Sequence, residues 1–355
     1  MMKGSKGAGE GRRTPGRRTQ DARSPTKSPI GPNPDITASE KTKRQVTARH
    51  QHFEQGSTHH GMADDGRAKR LKSSHDSNLS RLDSELITQV ASFVGASREL
   101  LNLALTCKFF GWRQPGAALD WSLAEEVARQ AVLSGQNDIK GVRLTLPQYV
   151  RGRKTWLSIL HESEDPLKFD TLFGCEHQNR NRKSVRLTDT GMGYSTAVAS
   201  NYVMESGTHY AEFQIISGSP EIGIVRPMPD LHPDRFANGR FDFFERSFYT
   251  DFLSQTSGEW DDNVHACQYS CGDGILCWTD WERAEDWEDW EGREDCCSGN
   301  TIGMLLNLDE GTLTVYKNNR RLGVMKDGLS GSYCWHATVR EESVVAIKSI
   351  EPPGA

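Results

Sequence analysis

Five of the eight cysteines lie close together in the chain, and clustered thiolates are common zinc ligands. They are Cys267, Cys271, Cys277, Cys296 and Cys297. Structural zinc sites usually contain Cys-x-x-Cys or Cys/His pairs, whereas three and then five residues separate the first three of these cysteines, and the last two are adjacent. The spacing therefore favours free thiols, and we predict no metal site.

The sequence also lacks the usual signatures of an active site. It contains no Gly-x-x-x-x-Gly-Lys-Ser/Thr phosphate loop, no Gly-x-Ser-x-Gly elbow and no His-Glu-x-x-His motif. Gly191-Met192-Gly193 is a lone Gly-x-Gly and predicts a turn, while His209 and His336 lie in strand-like segments. We therefore expect a protein that is not an enzyme and needs no cofactor.

A basic N-terminal segment precedes an acidic remainder. Of 355 residues with a net charge of −5, residues 1–80 contain 16 Lys or Arg and 8 Asp or Glu, which leaves 27 basic and 40 acidic residues after them. Residues 1–80 also hold only six Val, Ile, Leu, Phe, Tyr or Trp side chains, too few to offset chain entropy. We predict a disordered tail over 1–80 and, because the remainder is acidic, no specific nucleic-acid binding.

A short basic run in this tail, residues 67–72, contains Lys69, Arg70 and Lys72. An extended basic run can place successive cations in an acidic groove, which predicts a nuclear-import patch. A solvated run that keeps the tail soluble is the alternative. No stretch of 18 apolar residues and no apolar N-terminal segment is present, so we expect a nuclear or cytoplasmic protein without membrane contact.

From residue 82 the apolar residues recur at helical spacing. Cap signals, apolar stripes and closing glycines predict a first helix at residues 84–95 and a second at 97–111, with Ser97 as its cap. The capping box Ser122-Leu123-Ala124-Glu125 predicts a third helix that runs to Gly135. Apolar spacing predicts a further turn or two around residues 156–160.

After about residue 166, alternating apolar and polar residues replace the helical pattern and indicate strands. The predicted strands are 208–215, 221–225, 302–308, 312–317, 320–324, 333–339 and 343–348. Asn318-Asn319 predicts a tight hairpin, because Asn tolerates positive φ, and no helix is predicted beyond residue 175. The pattern predicts an α+β chain in which a helical module precedes an antiparallel β-sandwich.

The helical segment resembles an F-box. It has a Leu-x-x-Glu-Leu opening at 82–86, a Leu-Leu-x-Leu turn at 100–103 and a Cys-Lys-x-aromatic close at 107–110. The resemblance implies docking on a Skp-type adaptor of a cullin-RING ubiquitin ligase, through Leu82, Leu86, Val90, Leu100, Leu101, Leu103 and Phe110. Asp83 departs from the pattern, since the family usually has a proline there that shapes the helix entry. The alternative is a plain helical hairpin that supports the β domain.

The β segment resembles a SPRY domain over most of residues 166–350. Three matching words occur in the family's order, namely Gly207-Thr208-His209-Tyr210-Ala211-Glu212-Phe213, Ile222-Gly223-Ile224, and Ile302 to Tyr316 followed by Asn318. Asn307 and Asn319 depart from the usual Asp and hairpin Gly. The resemblance implies a bent antiparallel sandwich that binds partner proteins through loops at one end.

The candidate binding loops are 226–258, 279–300 and 340–343. The second contains residues 280–295, in which nine acidic residues surround three tryptophans. Trp and Arg are enriched at interface hot spots, and an acidic surround attracts a basic partner; the alternative is an insertion whose tryptophans pack on the sandwich. The predicted contacts are Arg226, Trp281, Trp287, Trp290 and Arg340.

The sequence thus predicts four segments. They are a disordered basic tail at 1–80, an F-box-like module at 81–112, a helical linker at 113–165 and a SPRY-type sandwich at 166–350. We expect the substrate-recognition adaptor of an SCF-type ubiquitin ligase, which holds an unidentified target near a cullin scaffold and acts by effective concentration. The alternative is a protein-interaction module whose helices are structural and have no role in ubiquitin transfer.

Overall fold

The computed structural model describes residues 89, 93, 95–113, 120–188, 193–236, 240–258, 260, 264–282 and 285–354. The predicted tail at 1–80 lies outside the described residues, as does most of the predicted first helix at 84–95. The helices whose bounds lie within these residues are α1 Ser97–Thr106, α2 Lys108–Gly111, α3 Leu123–Leu133, α4 Trp156–Glu164 and α5 Tyr249–Leu253. No helix among the described residues is long and apolar enough to span a bilayer.

Helix α1 begins and ends differently from its prediction. Ala96 occupies the cap position without a side-chain bond, and Ser97 is the first helical residue, whose backbone N–H and hydroxyl both donate to the Glu164 carboxylate of α4. The helix stops at Cys107, which has extended backbone angles (φ −133°, ψ 115°), and α2 follows as a separate turn. A carboxylate from a distant helix therefore replaces the local cap that sequence alone suggested.

The predicted capping box is present at α3. The Ser122 hydroxyl accepts from the Glu125 backbone N–H at 3.3 Å, and the Glu125 carboxylate accepts from the Ser122 N–H at 3.4 Å. The four helices from α1 to α4 bury a small apolar core of their own, made of Leu100, Phe110, Leu123, Val127, Ala128 and Leu160. The helical module is therefore held together by its own packing.

The described residues also form sixteen strands, and every pairing among them is antiparallel. They are β1 Val142–Leu144, β2 Thr171–Phe173, β3 Cys175–His177, β4 Ser184–Leu187, β5 Ser195–Val198, β6 Tyr202–Met204, β7 Thr208–Ser217, β8 Glu221–Val225, β9 Ala266–Ser270, β10 Leu276–Thr279, β11 Glu285–Glu288, β12 Thr301–Asn307, β13 Thr312–Lys317, β14 Arg320–Lys326, β15 Cys334–Val339 and β16 Val344–Lys348.

Two seven-stranded sheets form an antiparallel β-sandwich, as predicted. The first has the order β11-β10-β9-β8-β15-β5-β2 and the second the order β14-β13-β12-β7-β16-β4-β3, while β1 and β6 form a separate pair. Side chains from both sheets fill the space between them, with Phe213 of β7 packed edge-on against Trp335 of β15 at 6.1 Å between ring centroids. The Asn318-Asn319 hairpin has positive φ at both residues, 50° and 65°, as the turn prediction requires.

The last two strands do not pair with each other. Strand β15 bonds to β5 and β8 in the first sheet, whereas β16 bonds to β4 and β7 in the second. Residues 340–343 therefore cross from one sheet to the other. Alternation along a strand indicates which face is buried but not which strand lies beside it. The placement of β15 and β16 in different sheets could therefore not be predicted from the alternation.

Residues 226–258, predicted as a binding loop, fold over the outer face of the first sheet. Their described part contains α5, a short helix absent from the prediction, and the 3₁₀ turns Pro233–Phe236 and Arg246–Phe248. Phe241 stacks on Phe173 at 4.1 Å between centroids, in a second buried cluster of mostly aromatic residues. Much of this segment therefore stabilises the sheet, because burying its aromatic rings requires a fixed conformation.

Candidate interaction surfaces

The α1 helix separates the predicted partner contacts into two groups. Leu100 is fully buried and Phe110 is 6% exposed, and both belong to the core shared with α3 and α4. Their burial corrects the prediction that they contact a partner, because the chain's own helices already cover them. Leu103 packs at the edge of this core and is half-buried. Leu82, Leu86 and Val90 lie outside the described residues.

Leu101 keeps the exposure that a partner contact needs. It is 47% exposed, and Leu105, one turn further along the same side of α1, is 77% exposed. Trp112, just beyond α2, is 66% exposed and has the Lys108 ammonium 5.6 Å from its ring centroid. We call these three residues, Leu101, Leu105 and Trp112, the helical apolar patch.

A second candidate surface lies where β5 and β8 begin and β9 and β15 end. Antiparallel pairing brings these strand ends together, and we call this the loop end of the sandwich. Tyr194 immediately precedes β5, and two guanidinium groups lie near its ring, with the carbon of Arg240 at 4.8 Å and that of Arg340 at 6.0 Å from the ring centroid. Arg240 is exposed, whereas Tyr194 and Arg340 are half-buried.

Buried polar groups lie behind this rim. Gln268 donates to the Glu221 carboxylate at 2.8 Å, and both side chains are buried. Burial, and then the charge of Asp242, raise the pKa of Glu221 to about 8, while Arg340 acts in the opposite direction. The loop end therefore combines a cation–aromatic rim with a buried acid, Glu221, whose carboxyl interacts electrostatically with Arg340 of the rim.

Arg226, predicted to contact a partner, is instead buried at the opposite end of the sheet. Its side chain is 1% exposed, and its guanidinium carbon lies 4.1 Å from the ring centroid of Tyr333. The same guanidinium donates to the backbone carbonyls of Ser330 at 2.7 Å and Ser332 at 3.1 Å. The burial of Arg226 follows from its contacts with residues 330–333, whose carbonyls and Tyr333 ring hold the cation inside.

The three tryptophans of the acidic segment differ in their surroundings. Trp281 is 1% exposed, lies in the second buried cluster, which contains Phe241, and donates to the Phe243 carbonyl at 2.9 Å. It therefore packs on the sandwich, as the alternative interpretation of this segment predicted. Trp290 is half-buried and donates to the Gly274 carbonyl at 2.8 Å. Only Trp287, at 53% exposed and 6.4 Å from the Phe244 ring, remains largely available to a partner.

A groove of about 620 Å³ occupies the end of the sandwich opposite the loop end. Hydroxyl and amide side chains line much of it, among them Ser200, Asn201 and Thr256, together with the exposed His232. Arg143 also borders the groove, but its guanidinium pairs with Glu205 at 2.6 Å. The groove therefore offers mainly neutral hydrogen-bonding groups.

The cysteines are all free thiols in this structure. Cys267, Cys271, Cys277 and Cys296 are buried, and Cys297 is exposed. Within the described part of the chain, no group of three or more His, Cys, Asp or Glu side chains is arranged to hold a metal ion.

Several residues of these surfaces were not found from the sequence. Tyr194, Arg240 and Glu221 are separated in the chain; Tyr194 and Glu221 lie at the same end of the sheet because β5 and β8 both flank β15, and Arg240 reaches the Tyr194 ring from outside these strands. Lys69, Arg70 and Lys72, the predicted import patch, lie outside the described residues. An exposed Leu105 one turn after Leu101 was the one feature that helical spacing could have revealed.

Comparison with known proteins returned similar structures only. No family model and no curated protein matches the chain. The chain is similar to the SPRY domain of human HERC1, with 14% identity and a TM-score of 0.36 over 52% of this chain and 98% of that one. It is also similar to the PSpry domain of TRIM65, with 15% identity and a TM-score of 0.33 over 52% of this chain and 90% of that one.

Proposed function

We propose that the protein is a non-catalytic, substrate-recognition adaptor of a cullin-RING ubiquitin ligase. Residues 166–350 act as a SPRY-type domain that binds a target protein, and the F-box-like helices bind a Skp-type adaptor. The observation that carries the proposal is the helical apolar patch: Leu101 and Leu105 remain exposed although the helices bury a core of their own. Two exposed leucines one turn apart, on a helix whose other side is buried in the described helical core, favour an intermolecular contact.

The target-binding half of the proposal is supported by the loop end. Tyr and Arg are among the residues most enriched at interface hot spots, and here Tyr194 lies close to two arginines. The surrounding strands fix the position of the rim, while the loops that carry it are free to differ in sequence. A bound target would then be held near the ligase at high effective concentration, which requires no catalytic group on this chain.

The experiment that tests this function is affinity purification of the full chain from cells, followed by mass spectrometry. We expect a Skp-type protein and a cullin in the wild-type sample and their loss with Leu101→Glu. Leu133→Glu is the matched control, because Leu133 is 64% exposed but lies on α3, away from the patch residues in sequence. Recovery of the same ligase components with Leu101→Glu would contradict the proposal.

A second candidate is a SPRY-type interaction module without a role in ubiquitin transfer. The burial of Leu100 and Phe110 against α3 and α4 favours it, because these residues act there as structural core. It predicts target proteins but no Skp-type protein or cullin in the same purification. In either case we propose a nuclear or cytoplasmic location, with Lys69, Arg70 and Lys72 as the import patch, testable by the distribution of a fluorescent fusion after their replacement by Ala.

A further inference from the structure

Two buried cysteines lie in direct contact behind the acidic tryptophan segment. The Cys296 backbone N–H donates to the Cys271 carbonyl at 2.7 Å, and both side chains belong to the buried core between the sheets. Cys271 begins the turn between β9 and β10, and Cys296 follows the insertion after β11. A backbone hydrogen bond thus joins two points that are distant in sequence.

The surroundings of Cys296 favour its thiolate. The Tyr269 hydroxyl lies 3.3 Å from the Cys296 sulfur and also donates to the Glu294 carbonyl. The interaction with Cys271, and then those with Tyr269 and with the charge of Lys317, lower the pKa of Cys296, while burial opposes them. The thiolate is the nucleophilic form of cysteine, so Cys296 is the more reactive member of the pair.

The neighbouring segment holds the two sulfurs in place. Arg320 donates to the Glu294 carboxylate with both contacts at 2.7 Å, and Lys317 donates to the Asp295 carbonyl at 2.6 Å. These bonds tie the chain on the N-terminal side of Cys296 to β13 and β14. Because the 2.7 Å backbone bond already keeps Cys271 and Cys296 side by side, a disulfide between them requires little backbone movement, which is the usual obstacle to a new bridge.

We propose that Cys271 and Cys296 form a reversible, regulatory disulfide when the protein meets hydrogen peroxide. The Cys296 thiolate attacks one peroxide oxygen, the O–O bond breaks, and the leaving hydroxide takes up a proton, which gives a Cys296 sulfenic acid and water. The Cys271 sulfur then attacks the Cys296 sulfur, its proton passes to the leaving hydroxide, and a second water departs. Two thiols are thereby oxidised by two electrons, and one peroxide is reduced to two waters.

The bridge would fasten the acidic tryptophan segment to the turn after β9. That turn also borders the loop end, because a Cβ built on Gly272 would lie 3.3 Å from Arg340 Nη2. Oxidation would therefore rigidify one wall of the loop end, whichever partner binds there. The disulfide itself does not depend on the proposed function, since its chemistry involves only these two thiols and peroxide.

The test uses the full chain, treated with hydrogen peroxide and compared with a sample kept in dithiothreitol. After free thiols are blocked with N-ethylmaleimide, a non-reducing digest is analysed by mass spectrometry. We expect a linked pair of peptides carrying Cys271 and Cys296, and a rise in the Tm of the oxidised protein of roughly 5–10 °C, as for a bridge that constrains the unfolded chain. Dithiothreitol should reverse both changes.

Two variants separate this bridge from other oxidation products. Cys297→Ser, which removes the exposed neighbouring thiol, should keep both the linked peptides and the Tm rise. Cys271→Ser should show neither the linked peptides nor the Tm rise. If the serine variant is poorly folded, Cys271→Ala provides the same test. A Cys296–Cys297 linkage, a Cys296 sulfinic acid without a bridge, or unchanged thiols in the wild-type protein would each overturn the proposal.

Discussion

Leu100 and Leu101 are consecutive residues of α1 with opposite surroundings: Leu100 is fully buried in the helical core, and Leu101 is 47% exposed. Adjacent residues of a helix point about 100° apart, so one side of α1 can complete the core while another faces solvent. Leu100 therefore serves the stability of the helices, whereas Leu101 is available for their proposed role in binding.

Truncation of the two leucines should have unequal effects on stability. We expect Leu100→Ala to lower the free energy of unfolding by about 2–5 kcal/mol, because it leaves a cavity in the helical core. Leu101→Ala should change it by less than about 1 kcal/mol. Urea denaturation of the full chain, followed by tryptophan fluorescence and helical circular dichroism, measures both. Equal losses would mean that α1 is covered on both sides.

Replacement of the rim residues at the loop end should weaken target binding. Once a target has been identified by affinity purification, we expect Tyr194→Ala and Arg340→Glu each to reduce its affinity by roughly 30-fold or more, the loss typical of a hot spot. His232→Ala, in the groove at the opposite end, is the control and should bind normally. If His232→Ala alone lost the target, the groove would be the binding site.

Arg226 should contribute to stability and not to binding. Arg226→Met retains much of the apolar stem but removes the donor to the buried Ser332 carbonyl and the cation–π contact with Tyr333. A buried acceptor that loses its donor is costly, so we expect a loss of about 1–3 kcal/mol in the free energy of unfolding. Chemical denaturation measures the change, with Arg180→Met on the exposed β3–β4 turn as a control. A stable Arg226→Met variant that lost its target would reinstate Arg226 as a contact.

Glu221 should make the sandwich less stable as the pH rises. Its folded pKa, at about 8, lies above the ordinary value of 4.5, so the fold disfavours the charged carboxylate. The full stability associated with this group is present below about pH 4.5 and is lost as the pH approaches 8. We expect Glu221→Gln, which keeps an acceptor for Gln268, to be more stable than the wild type by about 1–3 kcal/mol at pH 8.

The measurement is the difference in unfolding free energy between Glu221→Gln and the wild type at pH 5 and at pH 8. The difference should grow with pH, because only the wild-type side chain ionises. Glu176→Gln is a suitable control, since Glu176 pairs with Arg186 on a half-exposed strand. A difference that is constant across this range would show that the Glu221 carboxyl is already ionised at pH 5.

The sequence predicted local structure well and long-range neighbours poorly. The capping box at Ser122 and the Asn318-Asn319 turn depend on residues a few positions apart, and both were confirmed. The cap of α1 by Glu164, and the burial of Arg226 against Tyr333, join residues far apart in the chain. Hydrophobic periodicity does not report such contacts, so the burial of Arg226 could not be predicted from it, nor could the choice between a partner contact and packing be made for Trp281.

The same limit explains the loop end. Alternation predicted β15 as a strand, but only its pairing with β5 places Arg340 beside Tyr194. Residue type marked Arg340 as a candidate contact, whereas Tyr194 carried no signal of its own. The strand order determines which residues form the loop end, and packing across the whole sandwich sets that order.

The most direct test of the account is the affinity of the purified full chain for a purified Skp-type adaptor, measured by isothermal titration calorimetry. We predict a Kd of about 1 μM or lower, weakened at least 30-fold by Leu101→Glu and unchanged by Leu133→Glu. Heat signals equal to buffer dilution for the folded wild-type chain would contradict the ligase-adaptor account.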